Sequence, residues 1–312
     1  MSGAGEAPRV LAIVGATASG KTDLGEALAH AIGGEVVCAD SRQVYRELEI
    51  GTGKPDAATR ARQPHHLFDA LELGSPATAG WFAGASRSAC AAIHQRGRVP
   101  VLVGGSGLYL AAARQGLAPT PPVDPEVRRR LATLHAELGT PALHERLARV
   151  DPETAARLAP QDAQRVLRAL EVAEGTGHPL SWWHWQPAAP AVSGRWGVVE
   201  LTVAPGPLAA RIEQRTRWMF EHGLIEETRD IADRGLGEAL DVLRAVGYDE
   251  ARAVLAGTLS KDQAIERTNL RTRQLAKRQR TWFRHQLEGE RLEAGGASPE
   301  QLLTRVRRAL GV

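Results

Sequence analysis

The sequence predicts an α/β fold: a P-loop-type parallel sheet core with helices on both faces, interrupted by an all-helical insertion domain. Three observations carry this prediction. Short apolar runs at 10–14, 35–39, 99–103 and 198–203 alternate with helical stretches, a pattern that builds parallel sheets. A glycine-containing turn and a helix follow the first run directly. From Asp124 to Gly175 no strand candidate occurs.

Residues 1–9 read as a loose tail rich in Gly, Ala and Pro. Val10–Val14 fits a buried strand. A helix is expected over about Thr22–Ile32, then a second strand at Glu35–Ala39 that ends at Asp40. A long helix covers Ala79–Gln95, and Val99–Val103 is a third strand closed by Gly104 and Gly105. Pro119, Pro121, Pro122 and Pro125 mark a linker. Ser181–Gly194 is expected to be irregular and is aromatic, with Trp182, Trp183 and Trp185. Val198–Val203 returns as a strand, and the chain from Gly206 onward is mostly helical. Two domains follow: 1–118 with 195–312 as the core, and 119–194 as the insertion.

Of the 312 residues, 43% are hydrophobic and 24% charged, enough apolar material for a sizeable core and too much for a disordered chain. The net charge of +3 decides nothing about nucleic acid, so the placement of charge must. Only four of the 39 basic residues are lysines: Lys21, Lys54, Lys261 and Lys277. The single asparagine, Asn269, excludes an Asn-Lys-x-Asp guanine-reading motif. Cys38 and Cys90 lie in apolar contexts and read as small buried residues. His65-His66 lacks partners at metal-ligand spacing. No run of eighteen apolar residues and no secretory signal occurs. The default expectation is a soluble cytoplasmic monomer with no membrane contact and no obligate protein partner.

Gly15, Ala16, Thr17, Ala18, Ser19, Gly20, Lys21 and Thr22 match G-x-x-x-x-G-K-[ST]. Between a strand and a helix, such a loop turns several backbone N–H groups into one concavity at a positive helix terminus. Lys21 is expected to reach terminal phosphate oxygens, and the Thr22 hydroxyl to hold magnesium. The loop recognises a diphosphate and does not read adenine, so a nucleotide and another organic diphosphate fit equally well. Asp40 ends the second strand, where ligands gather in parallel sheets. It is a magnesium ligand or a general base, unless it is simply a helix cap. The third strand ends in glycines, without the carboxylate that usually organises magnesium in ATPases. Lys54 is a second phosphate contact or merely a turn lysine. Arg211 and Arg215, one helical turn apart, could clamp a diphosphate with their forked donors or pair with nearby acids.

Between Arg267 and Arg284 the chain reads RTNLRTRQLAKRQRTWFR, without an acid. Arg273, Lys277, Arg280 and Arg284 share one helix face. Their mutual repulsion costs a few tenths of a kcal/mol per pair and would be relieved by an anionic polymer. Trp282 and Phe283 could anchor this helix or stack on a base.

Together these stretches resemble the tRNA dimethylallyltransferase (tRNA isopentenyltransferase) family. The resemblance spans most of the chain: GATASGKT at 15–22, DSRQVY at 40–45, IGTGKP at 50–55, HHLFD at 65–69, LVGGSGLYL at 102–110, DPEVRRRL at 124–131, QRVLRALEV at 164–172, RIEQRTRWMFEHGL at 211–224, VGYDE at 246–250 and TRQLAKRQRTWFR at 272–284. It implies transfer of a dimethylallyl group from dimethylallyl diphosphate to the N6 amine of the adenosine 3′-adjacent to a tRNA anticodon, with release of diphosphate. It also implies that Asp40 is the base, that Thr22 and Arg215 contact the diphosphate, and that Mg2+ is the cofactor. The implied tRNA contacts are Asp40, Ser41, Arg42, Gln43, Ser106 and Arg128, then Gln164, Arg165, Val166, Leu167 and Arg168. They continue with Arg244, Ala245, Val246, Gly247, Tyr248 and Asp249. The last group is Lys277, Arg278, Gln279, Arg280, Thr281, Trp282, Phe283 and Arg284. Four positions depart from the pattern: Ala16 for proline, Gly53 for alanine, Ser106 for threonine and Asp249 for a basic residue. The rival expectations are a P-loop kinase with a helical lid over 119–194 and a non-catalytic RNA-binding protein.

Overall fold

The computed structural model describes residues 8–188 and 191–312. β1 (Arg9–Gly15) is buried along nearly its whole length and sits inside the sheet. Gly20 then takes φ +88°, a left-handed turn suited to glycine, and α1 (Lys21–Ala31) starts from it. β2 (Glu35–Cys38), α2 (Ala57–Arg62), β3 (His65–His66), α3 (Ala79–Gln95), β4 (Pro100–Gly104) and α4 (Gly107–Gln115) follow. Asp56 and Thr78 cap α2 and α3 by accepting the N–H groups of Thr59 and Trp81.

The chain packs as two compact units. One comprises the chain up to Arg114 and resumes at Val192, and the other is Gln115–Ala191. These boundaries fall a few residues earlier than 119 and 195. Within the second unit, α5 (Pro125–Val150), broken at Gly139, is followed by α6 (Pro152–Arg157), α7 (Ala163–Thr176) and α8 (Leu180–His184). Leu131, Leu143, Leu147, Val166 and Leu170 form its own core. The buried Asp151 carboxylate ties the unit together, accepting the N–H groups of Thr154 and Ser181. The stretch expected to be irregular from Ser181 is therefore helical as far as His184. Residues 189 and 190 of that stretch lie outside the described residues, as do residues 1–7 of the expected tail.

In the first unit β5 (Arg195–Thr202), α9 (Pro205–Glu221), α10 (Leu224–Ile231), a short π segment at 232–236, α11 (Gly237–Leu243), α12 (Tyr248–Leu255), α13 (Lys261–Gln286), β6 (Glu290–Glu293) and α14 (Pro299–Leu310) complete the chain. The six strands form one all-parallel sheet in the order β3-β2-β4-β1-β5-β6. The edge strands β3 and β6 carry none of the apolar runs expected for strands. β1 shows why helices cover both faces: Val10, Ala12 and Val14 enter one core, while Leu11 and Ile13 enter the other. Both cysteines are buried and free. Among the described residues, no helix is long and apolar enough to cross a membrane.

Candidate active site

Parallel strands bring their carboxyl ends to one edge, and the site is built there. The loop 15–20 leaves β1, Asp40 follows β2, and Gly105 and Ser106 follow β4. Ser106 knits two of these ends together. Its N–H donates to the Ala39 carbonyl (3.2 Å), and its Oγ accepts the Ser41 N–H (3.0 Å). Asp40 is half-buried and caps no helix. Its Oδ1 accepts the Arg42 N–H (2.9 Å), an Asx-type turn that orients the carboxylate.

Thr22, Lys21, Arg211 and Arg215 line a cavity of about 650 Å³ around the loop. The Lys21 Nζ donates to Ala16 O (3.2 Å). Burial pushes its pKa down to about 8; Asp40 opposes that shift and Arg215 adds to it. Arg211 donates to Ser19 O (3.3 Å), and Arg215 to Thr17 Oγ1 (3.3 Å) and Thr52 O (2.7 Å). Neither arginine pairs with Glu213, which faces Arg217. Gly53 has φ +58°, and a Cβ there would overlap the Arg215 guanidinium. The departure from alanine thus leaves room for this arginine pose.

A second, smaller pocket of about 100 Å³ shares Ala18 and Arg215 with the first. Asp40, Thr17 and Gln279 stand on its polar wall, and Ile212, Met219 and Leu275 on its apolar wall. The Thr22 hydroxyl has no partner among the described residues and faces the larger cavity. That suits magnesium, which keeps several waters and takes one or two protein oxygens beside the substrate phosphates. No cluster of three metal-binding side chains occurs among the described residues.

Lys54 is among the residues around the larger cavity, with its ammonium bonded to protein groups. Its buried Nζ bonds Tyr45 O (2.8 Å), Glu49 (2.9 Å) and Asp69 (2.6 Å). His66 pairs with the buried Glu35 (2.6 Å), whose carboxyl is held below its usual range chiefly by the Arg96 guanidinium. Gln43 is buried, and its amide holds the Thr52 and Gly53 carbonyls (3.2 and 3.1 Å). Arg42 reaches Leu243 O (3.0 Å).

The basic helix is α13. Arg267 and Arg271 are not uncompensated as expected: Glu250 pairs with both (3.7 and 2.6 Å), and Asp249 with Arg271 (2.7 Å). Both acids come from α12, which the local sequence of α13 cannot show. Lys277, Arg278, Thr281 and Arg284 are exposed and Arg280 half-exposed. Trp282 packs where a Cβ at Gly107 would sit. The Phe283 side chain is a core group, as are those of Ala245, Tyr248 and Val166. Ala245 and Tyr248 also line the small pocket. Arg244 is exposed at φ +47°, Gly247 has φ +96°, and Val246 lines the small pocket. In the second unit Gln164 and Arg165 are exposed and Leu167 half-buried. Arg128 and Arg168 pair with Glu171 there (3.5 and 3.6 Å).

Glu227 escaped the sequence reading. Its carboxylate accepts the Ile50 N–H (2.8 Å), the Glu49 N–H (3.3 Å) and the Tyr248 hydroxyl proton, and so anchors the loop that faces Arg215. No local pattern marks it, because its partners lie far off in sequence.

Fold and site define a class: an α/β protein with a glycine-rich strand-to-helix loop beside a carboxylate. The family model described as IPP transferase matches residues 43–286, and that described as isopentenyl transferase matches residues 8–63. A tRNA dimethylallyltransferase from Halorhodospira halophila is 45% identical over 97% of this chain and 98% of its own length. One from Anaeromyxobacter dehalogenans is 45% identical over 96% and 99%. A full-length tRNA isopentenylpyrophosphate transferase from Bacillus halodurans superposes with a TM-score of 0.68 at 33% identity, covering 96% of this chain and 94% of that one. A eukaryotic dimethylallyltransferase captured acting on tRNA gives 0.78 at 25% identity, covering 97% and 77%. The chain belongs to the tRNA dimethylallyltransferase family.

Proposed function

We infer that this chain transfers the dimethylallyl group of dimethylallyl diphosphate to the N6 amine of the adenosine 3′-adjacent to the anticodon in tRNA. The observation that carries this is the junction of the two cavities. A phosphate cradle meets a small, partly apolar pocket, and Asp40 stands beside their shared wall of Ala18 and Arg215.

The amine nitrogen attacks the allylic carbon, the carbon–oxygen bond breaks, and diphosphate leaves with the electron pair. The amine proton passes to the Asp40 carboxylate, whose Oδ1 is already oriented by the Arg42 N–H. Charge grows on the departing diphosphate. The loop amides, Lys21, Arg211 and Arg215 are placed to stabilise it. Magnesium held by Thr22 would add charge neutralisation there. The adenine leaves its stack to enter, at a cost of a few kcal/mol. Lys277, Arg278, Arg280 and Arg284 on α13 contact the RNA backbone and offset that cost. The protein works as a cytoplasmic monomer with tRNA and dimethylallyl diphosphate as its partners.

Incubation with labelled dimethylallyl diphosphate, ATP and unmodified tRNA tests this. Label is expected at the adenosine beside the anticodon. Transfer of the ATP γ-phosphate, with RNA left unprenylated, would point to a kinase and end this reading.

A further inference from the structure

We propose that Gln279 is a positioning residue that locks the phosphate loop to the loop after β4, and through it to the segment carrying Asp40. The proposal rests on the prenyltransferase reading above. Gln279 lies within the most basic stretch of the chain, where resemblance makes it an RNA contact. Its side chain does something else. Oε1 accepts the Thr17 N–H at 2.9 Å, and Nε2 donates to the Gly105 carbonyl at 3.0 Å. The partners dictate which way the amide points, because an N–H must meet oxygen and a carbonyl must meet nitrogen.

Three features show that the place is built for this amide. Gly105 has no room for a side chain, since a Cβ there would overlap the Gln279 amide. The next residue, Ser106, is bonded to both Ala39 and Ser41, the residues on either side of Asp40. Gln279 also stands on the wall of the small pocket, with Thr17 and Asp40. One amide therefore spans the loop that holds the donor and the strand end whose neighbour holds the base. Glutamine alone among residues of this length offers both a neutral acceptor and a donor on one planar group. Without it, the two loops lose their only shared side-chain clamp among the described residues. The reacting carbon and nitrogen then lose alignment, to which transfer rates are steeply sensitive.

The test compares the full-length protein with Gln279→Met, Gly105→Ala and the double variant. Labelled dimethylallyl diphosphate and unmodified tRNA give kcat and donor KM, and fluorescence anisotropy gives tRNA Kd. Gln279→Met keeps the length and loses both bonds. Gly105→Ala displaces the amide without changing the identity of Gln279 or of any RNA-facing side chain. Each single variant is expected to lose roughly ten- to a hundredfold in kcat and to keep its tRNA Kd within about twofold. The double variant is expected to be no worse than the weaker single, because both changes break the same clamp. Weakened tRNA binding with intact kcat would make Gln279 an RNA contact and overturn the proposal. So would unchanged kcat, or multiplicative losses in the double variant. Should Gly105→Ala fail to fold, the kcat-against-Kd split of Gln279→Met decides alone. Failure of the unmodified protein to prenylate tRNA would instead sink the functional reading, a separate result.

Discussion

Asp40 and Lys21 face the same junction with opposite charges. Asp40→Asn removes the proposed base while keeping an oxygen for the Arg42 N–H. Transfer is expected to fall about 10²- to 10⁴-fold, with tRNA affinity retained in a filter-binding assay. Full activity would remove Asp40 from the reaction. Lys21 makes a pH prediction. Its pKa is pushed down to about 8 in the free protein, and a bound diphosphate raises it. Donor binding then takes up a proton above pH 8, so donor affinity falls as pH rises past that value. Lys21→Arg stays charged, and the decline attributable to this residue vanishes in isothermal titration across pH 7.5–9.5. Stability runs the other way. The folded pKa lies below the ordinary lysine value of 10.5, so the unfolded chain binds more protons between about 8 and 10.5. Over that window Lys21 makes the fold more stable as pH rises. The place of Lys21 and Thr22 in the loop is legible because the motif is local, whereas spacing alone leaves Arg215 between clamping a phosphate and pairing with an acid. Gln279 and Glu227 are not legible, because their meaning lies in loops met only after folding.

At the scale of the element, α13 has two jobs on one helix. Its early arginines face the acids of α12, and its later cations face solvent. Lys277→Ala with Arg280→Ala should weaken tRNA binding and make the slope of log affinity against log salt shallower by about 1.5–2. An unchanged slope would move the RNA groove elsewhere. The control is Arg271→Ala, which strips a partner from the buried Glu250 carboxylate. It should cost about 1–3 kcal/mol in urea unfolding and leave the salt slope close to wild type. The sequence of α13 shows the charge but cannot divide it between these jobs. The strands divide in the same way. β1, β2, β4 and β5 announce themselves as apolar runs because both faces are covered. β3 is two histidines and β6 is four residues of which three are charged, and only pairing with a formed neighbour makes them strands.

For the whole molecule, the crossing points of the insertion are instructive. The Val192 N–H donates to the Ala113 carbonyl at 2.7 Å, so the chain returns to the first unit beside the place where it left. Each unit has its own core. Joining Arg114 to Val192 through a few Gly and Ser residues should leave a cooperatively melting protein that still binds inorganic diphosphate, with transfer to tRNA lost. Scanning calorimetry and titration check the first two points. A broad, non-cooperative melt would show that the first unit depends on the second.

β1 has one neighbour, β4, from before the insertion and one, β5, from beyond it. As the chain emerges from the ribosome, that hydrophobic strand must wait with one flank unpaired until residues past 195 are made. Such distant pairing slows folding and leaves an adhesive edge available in the meantime. The loop proposed to hold the donor hangs from this same strand, so catalytic competence should arrive late in synthesis. Nascent chains that stall inside the insertion are the ones to expect in aggregates or in the hands of chaperones.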